Sequence, residues 1–391
     1  MIKGLVQDFK TLFNHSGAVE VFFSPGRVNL IGEHTDYNGG FVFPCALDFG
    51  TYAVVKRRDD NIFRMYSKNF EKLGTKEFSL DKLINTPSDN WANYPKGVIK
   101  TFIDAGYKID KGFDVMFFGN IPNGAGLSSS ASIELLTSVI LKEIFKLDID
   151  MVEMVKLSQK AENEFIGVNC GIMDQFAIGM GKKDNAILLD CNTLEYHYAP
   201  VELDGASIVI ANTNKKRGLA DSKYNERRNS CEAAVKVLNE NGINIKNLGE
   251  LSVEKFNEVK HFITDEEQLK RATHAVTENE RTKTAVEKLN SGDVEAFGKL
   301  MNQSHISLRD DYEVTGFELD SLVEAAWEAK GVIGARMTGA GFGGCTVSIV
   351  KDEFIDEFIK SVGEKYKAKT GLTADFYVAK IGDGSRKLGD F

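Results

Sequence analysis

Apolar positions along the chain fall into short dense runs separated by polar, glycine-bearing stretches. Val19–Phe23 and Thr51–Lys56 are rich in Val, Phe and Tyr and predict β-strands. The run FDVMFFGNIP, residues 113–122, predicts a third strand that leads directly into a glycine-rich turn. From Ser132 onward, Ile133, Leu136, Ile140, Leu141 and Ile144 recur at helical spacing and predict a buried helix. MVEMVKLSQKAENEFIG, residues 151–167, predicts a second helix stopped by Gly167, and a third is expected from about Gly171–Asp174.

In the second half, GASIVIANTN (205–214) predicts a strand and SKYNERRNSCEAAVKVLNE (222–240) a charged helix. VIGARMTGAGFGG, CTVSIV and DFYVAKIG read as strand and loop, strand, and strand. The polar stretch near residues 190–205 is the expected boundary between an N-terminal unit, 1–200, and a C-terminal unit, 201–391. Helices and mixed strands in both units predict an α+β protein of two domains with its site between them.

Composition narrows the function. The chain has 391 residues, 42 % hydrophobic and 27 % charged, with a formal charge of −9, which argues against a nucleic-acid partner. The five cysteines show no C-x-x-C spacing, so neither a zinc module nor a disulfide framework is expected. No apolar run approaches the ~18 residues of a membrane helix, and the N-terminus lacks a signal peptide's apolar core. These features predict a cytoplasmic protein without membrane contact.

The chemistry concentrates in two segments. NIPNGAGLSSSASIELL, residues 120–136, has the strand–turn–helix order that points backbone N–H groups and a helix dipole at an anion. It lacks the lysine of a Walker-type loop. Ser128, Ser129 and Ser130 are hydroxyl donors at the helix start, their alternative role being a helix cap. Glu162 and Asp174 flank the short stretch FIGVNCGIMDQ and are placed to project into one cleft, where a carboxylate and a serine hydroxyl suit Mg²⁺. The alternatives are a solvated helix face for Glu162 and a helix cap for Asp174.

SPGRVNLIGEHTDYNGG, residues 24–40, packs Arg27, Glu33, His34, Asp36 and Asn38 among four glycines. Such a set of donors and acceptors on a glycine-shaped loop suits a ligand with many hydroxyls. GAGFGG, residues 339–344, matches the dinucleotide fingerprint G-x-G-x-x-G literally, but a strand pattern follows instead of the required helix. It is expected to pack close to the hydroxyl-binding and phosphate sites, the alternative being a tight strand-to-strand turn.

GRVNLIGEHTDYNGG resembles the signature of the galactokinase family, and PNGAGLSSSAS the ATP loop of the wider GHMP kinases. CGIMDQF and RMTGAGFGGC are similar to two further blocks of that pattern, and WANYPKGVI and SLRDDYEVT extend the likeness along the chain. The resemblance implies a two-domain GHMP-kinase fold, with an N-terminal ribosomal-protein-S5-domain-2-like domain and a ferredoxin-like C-terminal domain. It implies ATP-dependent phosphorylation of α-D-galactose at the C1 hydroxyl. Glu33, His34, Thr35, Asp36, Gly171, Asp174 and Tyr224 then match sugar contacts. Ser67, Trp91 and Tyr94 match the nucleotide pocket, together with the loop Gly124, Ala125, Gly126, Leu127, Ser128, Ser129 and Ser130. Ser130 and Glu162 match the Mg²⁺ ligands. Asp174 matches the proposed base, and Arg27 the residue that steadies the transition state and pairs with Asp174. The small-residue pair Ala131–Ser132 fits the family, whereas the segment before Tyr224 departs from its enteric form. A monomer acting on galactose and ATP is expected. The competing readings are a sibling C1 sugar kinase, such as one for N-acetylgalactosamine, and a non-catalytic galactose sensor. The intact serine loop and both carboxylates favour the enzyme.

Overall fold

The computed structural model describes residues 1–122, 125–215 and 220–391, so Gly124 of the expected phosphate loop lies outside the described residues. Among the described residues the strands form three sheets. The largest has the order Arg386–Asp390, Glu20–Asn29, Pro44–Arg57, Phe113–Gly119, Ile62–Ser67, Lys76–Ser79. Its neighbours are antiparallel, except that Ile62–Ser67 runs parallel to Phe113–Gly119.

The three strands predicted in the first half all lie in this sheet, and two are longer than their apolar runs. Glu20–Asn29 carries the strand six residues past Phe23, so Ser24–Asn29 of the polar signature is strand rather than loop. Register slips between Pro25 and Arg27. This bulge accommodates a proline inside a strand. It also lets the Arg27 N–H donate to Leu127 O at 3.3 Å, tying the strand to the phosphate loop.

Helices Asn93–Asp104, Ser129–Phe145 and Met151–Lys160 cover one face of the sheet, where Phe22, Val55, Phe117, Val98, Leu136 and Met154 share a core. The N-terminal segment forms a helix, Ile2–Phe13, whose Phe9 and Phe13 pack on Val21, Val54 and Met116. Each such large buried side chain contributes about 1.5–3 kcal/mol.

The second sheet has the order Val332–Thr338, Cys345–Lys351, Ala206–Asn212, Asp375–Ala379, antiparallel throughout. With a helix before its second strand and another, Ile355–Thr370, before its last, this is the expected ferredoxin-like arrangement. Helices Ala220–Glu240, Glu266–Asn290 and Val294–Asp310 are inserted between its first two strands. One apolar cluster joins the two sheets through Val28, Phe43, Ile121, Ile210, Phe297 and Val347. GAGFGG turns directly from strand to strand, with positive φ at Gly339, Gly341, Phe342, Gly343 and Gly344.

Candidate active site

A cavity of about 620 Å³ opens where both halves meet the end of the strand Phe113–Gly119. Arg27, Glu33, His34 and Asp36 line one side, and Gly126–Ser130 another. Glu162, Gly171, Asp174, Tyr224, Gly339 and Ala340 complete the walls. The size suits a small-molecule site with convergent polar groups.

On the phosphate side, Gly126 sits at φ 74, and Ser128 takes the left-handed conformation at φ 60. A non-glycine residue held there stores strain, a common feature of ligand loops. Ser128 precedes the helix Ser129–Phe145 but its side chain does not cap it. Its Oγ instead donates to Asp174 Oδ2. Arg27 completes the corner: Nε donates to Asp174 Oδ1 at 2.8 Å and Nη1 to Gly126 O at 2.8 Å. Asp174 lies in the first turn of Met173–Met180 and does not cap it, so the cap alternative fails. The first N–H groups of the serine helix have no acceptor within the helix and a positive dipole end behind them.

Glu162 does not lie on a regular helix face. Met151–Lys160 widens into a π-helical turn, Ala161–Ile166, closed by Gly167 in the left-handed region. Such turns often redirect a functional side chain. Here the turn buries Glu162, so the solvated-face alternative also fails. Gln175 Nε2 donates to Glu162 Oε2 at 2.6 Å and to the fully buried Glu134 Oε2 at 3.1 Å. Burial pushes the Glu162 carboxyl up to about 7 and the Asp174 charge adds to the shift, while hydrogen bonding from Ser130, Cys170 and Gln175 opposes it. Glu134 is raised as well, by burial and then by Glu162. Three carboxylates thus crowd one corner, and a divalent cation there would relieve them. The oxygen donors Ser130 and Glu162 fit Mg²⁺, which takes few protein ligands.

On the sugar side, Asp36 opens the short turn Asp36–Asn38. Gly171 approaches it so closely that an added Cβ would stand 1.9 Å from Asp36 Oδ2. Burial raises the Asp36 carboxyl to about 6, with Asp174 adding to the rise. His34 has φ 60; its Nδ1 pairs with Tyr37 Oη at 2.8 Å, and its Nε2 donates to Ala340 O at 3.2 Å. Burial lowers the imidazole to about 3, so it is neutral at pH 7. Tyr224 packs against His34 and Tyr37 with ring centroids 5.6 and 5.3 Å away.

Thr35 is buried away from the cavity, and its Oγ1 donates to Gly32 O and Phe41 O. Ala125 is buried behind the loop. Ser67, Trp91 and Tyr94 do not line the cavity. Ser67 caps the following 3₁₀ turn. Trp91 stacks on Phe70 at 6.5 Å and meets Phe117 edge-on, beside the strand that feeds the phosphate loop. The sequence reading gave no role to Cys170, which lines the cavity and whose thiol reaches Glu162 and Asn163, or to the buried groups Arg336 and Glu278 behind Glu33. Cys170 and Arg336 open the blocks CGIMDQF and RMTGAGFGGC without a role being legible for them there, and Glu278 lies in no motif.

The ferredoxin-like half, the serine-loop helix and the carboxylate corner define a GHMP kinase. Models of the GHMP kinases N terminal domain and GHMP kinases C terminal match residues 93–182 and 285–368. A mevalonate kinase structure from Methanococcus jannaschii shares the fold at 19 % identity and TM-score 0.66, covering 94 % of this chain and all of that one. The galactokinase galactose-binding signature matches residues 7–57. Galactokinase of Fusobacterium nucleatum subsp. nucleatum is 76 % identical over 99 % of this chain and 100 % of its own. Galactokinase of Bacillus subtilis is 57 % identical, covering 99 % and 98 %. The crystal structure of Lactococcus lactis galactokinase complexed with galactose superposes at TM-score 0.97, with 51 % identity, 99 % of this chain and 100 % of that one covered. The chain belongs to the galactokinase family. Among the described residues, no helix is long and apolar enough to cross a membrane.

Proposed function

We propose that this protein phosphorylates α-D-galactose at its C1 hydroxyl, using ATP and releasing galactose 1-phosphate and ADP. The observation that carries the reading is Arg27, which binds Asp174 and the Gly126 carbonyl at once and so stands between the phosphate loop and the sugar-facing segment. The galactose in the Lactococcus lactis relative supports the choice of sugar.

In this reading the C1 oxygen of galactose attacks the γ-phosphorus, and the bond to the β–γ bridging oxygen breaks with its electron pair leaving on ADP. Asp174 orients the C1 hydroxyl and receives its proton, a contribution of about 10²–10⁴ in rate. Arg27 holds the Asp174 carboxylate in place and meets charge on the transferred group, where an arginine contributes roughly 10³–10⁵ in related chemistry. The N–H groups at the start of Ser129–Phe145 and the serine hydroxyls cradle the phosphates. Ser130 and Glu162 hold Mg²⁺, whose charge replaces that of the absent Walker lysine. Glu33, Asp36 and Tyr224 pair the sugar hydroxyls, with His34 and the Gly171 backbone shaping the pocket and Thr35 fixing the loop. Trp91, Tyr94 and Ser67 take the adenine side, supported by the Trp91–Phe70 stack and by a buried Trp91 Nε1 with no partner among the described residues.

The division of the chain near residue 200 belongs to the same proposal. It is supported by the second sheet, which draws every strand from Ala206 onward, while Arg386–Asp390 returns to the first sheet. So does a cytoplasmic monomer, whose five cysteines outside any disulfide suit a reducing compartment. A coupled assay for ADP release, run with galactose, N-acetylgalactosamine and arabinose, with and without Mg²⁺, tests the reading. Mg²⁺-dependent release with galactose is expected, and release with N-acetylgalactosamine alone would replace galactose as the substrate.

A further inference from the structure

The segment that faces the sugar is held from behind by residues far along the chain. Glu33 lines the cavity, yet the residue is only 1 % exposed. Its Oε2 lies 2.8 Å from Nη1 of Arg336, which is fully buried on the strand Val332–Thr338. The guanidinium is fixed in turn, with Nη1 donating to Asn29 O at 3.0 Å and Nε to Ser304 Oγ at 3.1 Å. Ser304 Oγ donates to Glu278 Oε1 at 2.5 Å, and the same oxygen accepts from the backbone N–H of Gly32 at 3.0 Å and of Glu33 at 3.3 Å. One turn before Glu278 on the same helix, His274 Nε2 donates to Glu33 O at 3.0 Å. Glu33 therefore has its amide, its carbonyl and its carboxylate each fixed by a residue of the C-terminal half.

A carboxylate taken out of water stays ionised only beside a partner that repays its lost hydration. Burial raises the Glu33 carboxyl, and the Arg336 charge is the largest opposing influence. An ionised, immobile carboxylate accepts hydrogen bonds only. A neutral or swinging one also donates and discriminates hydroxyls less well.

We propose that Arg336 and Glu278 are positioning residues for sugar recognition, fixing Glu33 as a charged acceptor of set direction from the opposite half of the molecule. The claim rests on the reading that Glu33 pairs a sugar hydroxyl. Its consequence is selective: these two residues act on sugar affinity much more than on nucleotide affinity.

The test is calorimetric binding of galactose, with KM measured separately for galactose and ATP, on the wild type, Arg336→Gln, Arg336→Lys, Glu33→Gln and the double variant Glu33→Gln/Arg336→Gln. Arg336→Gln is expected to weaken galactose about 10- to 100-fold, the range for leaving a buried polar group without its partner, with the KM for ATP moving much less. Arg336→Lys keeps the charge and recovers part of the loss. On the Glu33→Gln background, Arg336→Gln is expected to weaken galactose little further, because the group it positions is gone. Equal changes in both KM values, or a full additional loss in the double variant, would overturn the proposal. If Arg336→Gln alone does not fold, the double variant leaves no orphaned charge, and its comparison with Glu33→Gln decides the matter. A wild type that ignores galactose but binds another sugar refutes the substrate reading instead, and the same variants then test Arg336 with that sugar.

Discussion

The two sides of the cavity are built in opposite ways. The phosphate side is one continuous piece of chain, the strand Phe113–Gly119, the turn and the helix Ser129–Phe145, and its binding groups are largely backbone. The sugar side is also a short segment, Gly32–Gly40, but its geometry comes from His274, Glu278, Ser304, Tyr312 and Arg336, more than 200 residues away. An anion needs N–H groups and positive charge, which a helix start supplies by itself. A polyhydroxylated ring needs acceptors of fixed direction, and fixing a side chain takes packing from several elements.

Arg27 bonds both to Asp174 and to the phosphate-loop carbonyl of Gly126, so its removal is expected to give the largest effect. Arg27→Ala is expected to lower kcat by roughly 10³–10⁵ and to weaken both substrates, because Asp174 and Gly126 O lose their common donor. Asp174→Asn comes next, with a loss of about 10²–10⁴ in kcat while galactose binding by calorimetry survives. Wild-type turnover in that variant would remove Asp174 from the chemistry. Gly171→Ala acts on the sugar side alone. Its Cβ would stand 1.9 Å from Asp36 Oδ2, so either the loop or the carboxylate must move. Overpacking of this kind costs about 1–3 kcal/mol, which predicts about 5- to 150-fold in the KM for galactose and little change for ATP. Equal changes for both substrates would erase the contrast between the two sides.

That contrast also explains what the sequence disclosed. The serine loop, the 24–40 segment and the paired carboxylates were legible because their residues are close in sequence and chemically unusual. Strand and helix types followed from periodicity, and GAGFGG was recognisable as a turn because β-branched residues follow it. The signature's first six residues were misjudged as loop: Ser24, Arg27 and Asn29 look polar, yet tertiary cover buries them in a strand. Arg336 opens the block RMTGAGFGGC and Glu278 lies in no motif, and neither had a legible role, since a charged residue on a helix or strand reads as solvated until the fold shows what lies against it. The π-helical turn that carries Glu162 was likewise invisible, because no proline or glycine interrupts residues 151–166 to mark where the helix widens.

The smallest expected effect is a pH dependence confined to the sugar side. Asp36 is raised to about 6 by burial, then by Asp174, with Glu33 adding and the backbone N–H groups of Tyr37 and Met173 opposing. Its folded value lies above the ordinary 3.8, so its contribution to stability is complete below pH 3.8 and is lost as pH rises through about 6. Galactose binding runs the other way, because a sugar hydroxyl needs Asp36 as an ionised acceptor. Affinity is therefore expected to fall about tenfold from pH 7 to pH 5, with proton release on binding in that window. Calorimetry in two buffers of different ionisation enthalpy reads both quantities. Asp36→Asn should bind more weakly at pH 7 and lose the slope. A variant that keeps the slope would move the titration to another group, and a flat wild-type profile would mean that Asp36 stays ionised throughout, its burial offset by the N–H groups of Tyr37 and Met173.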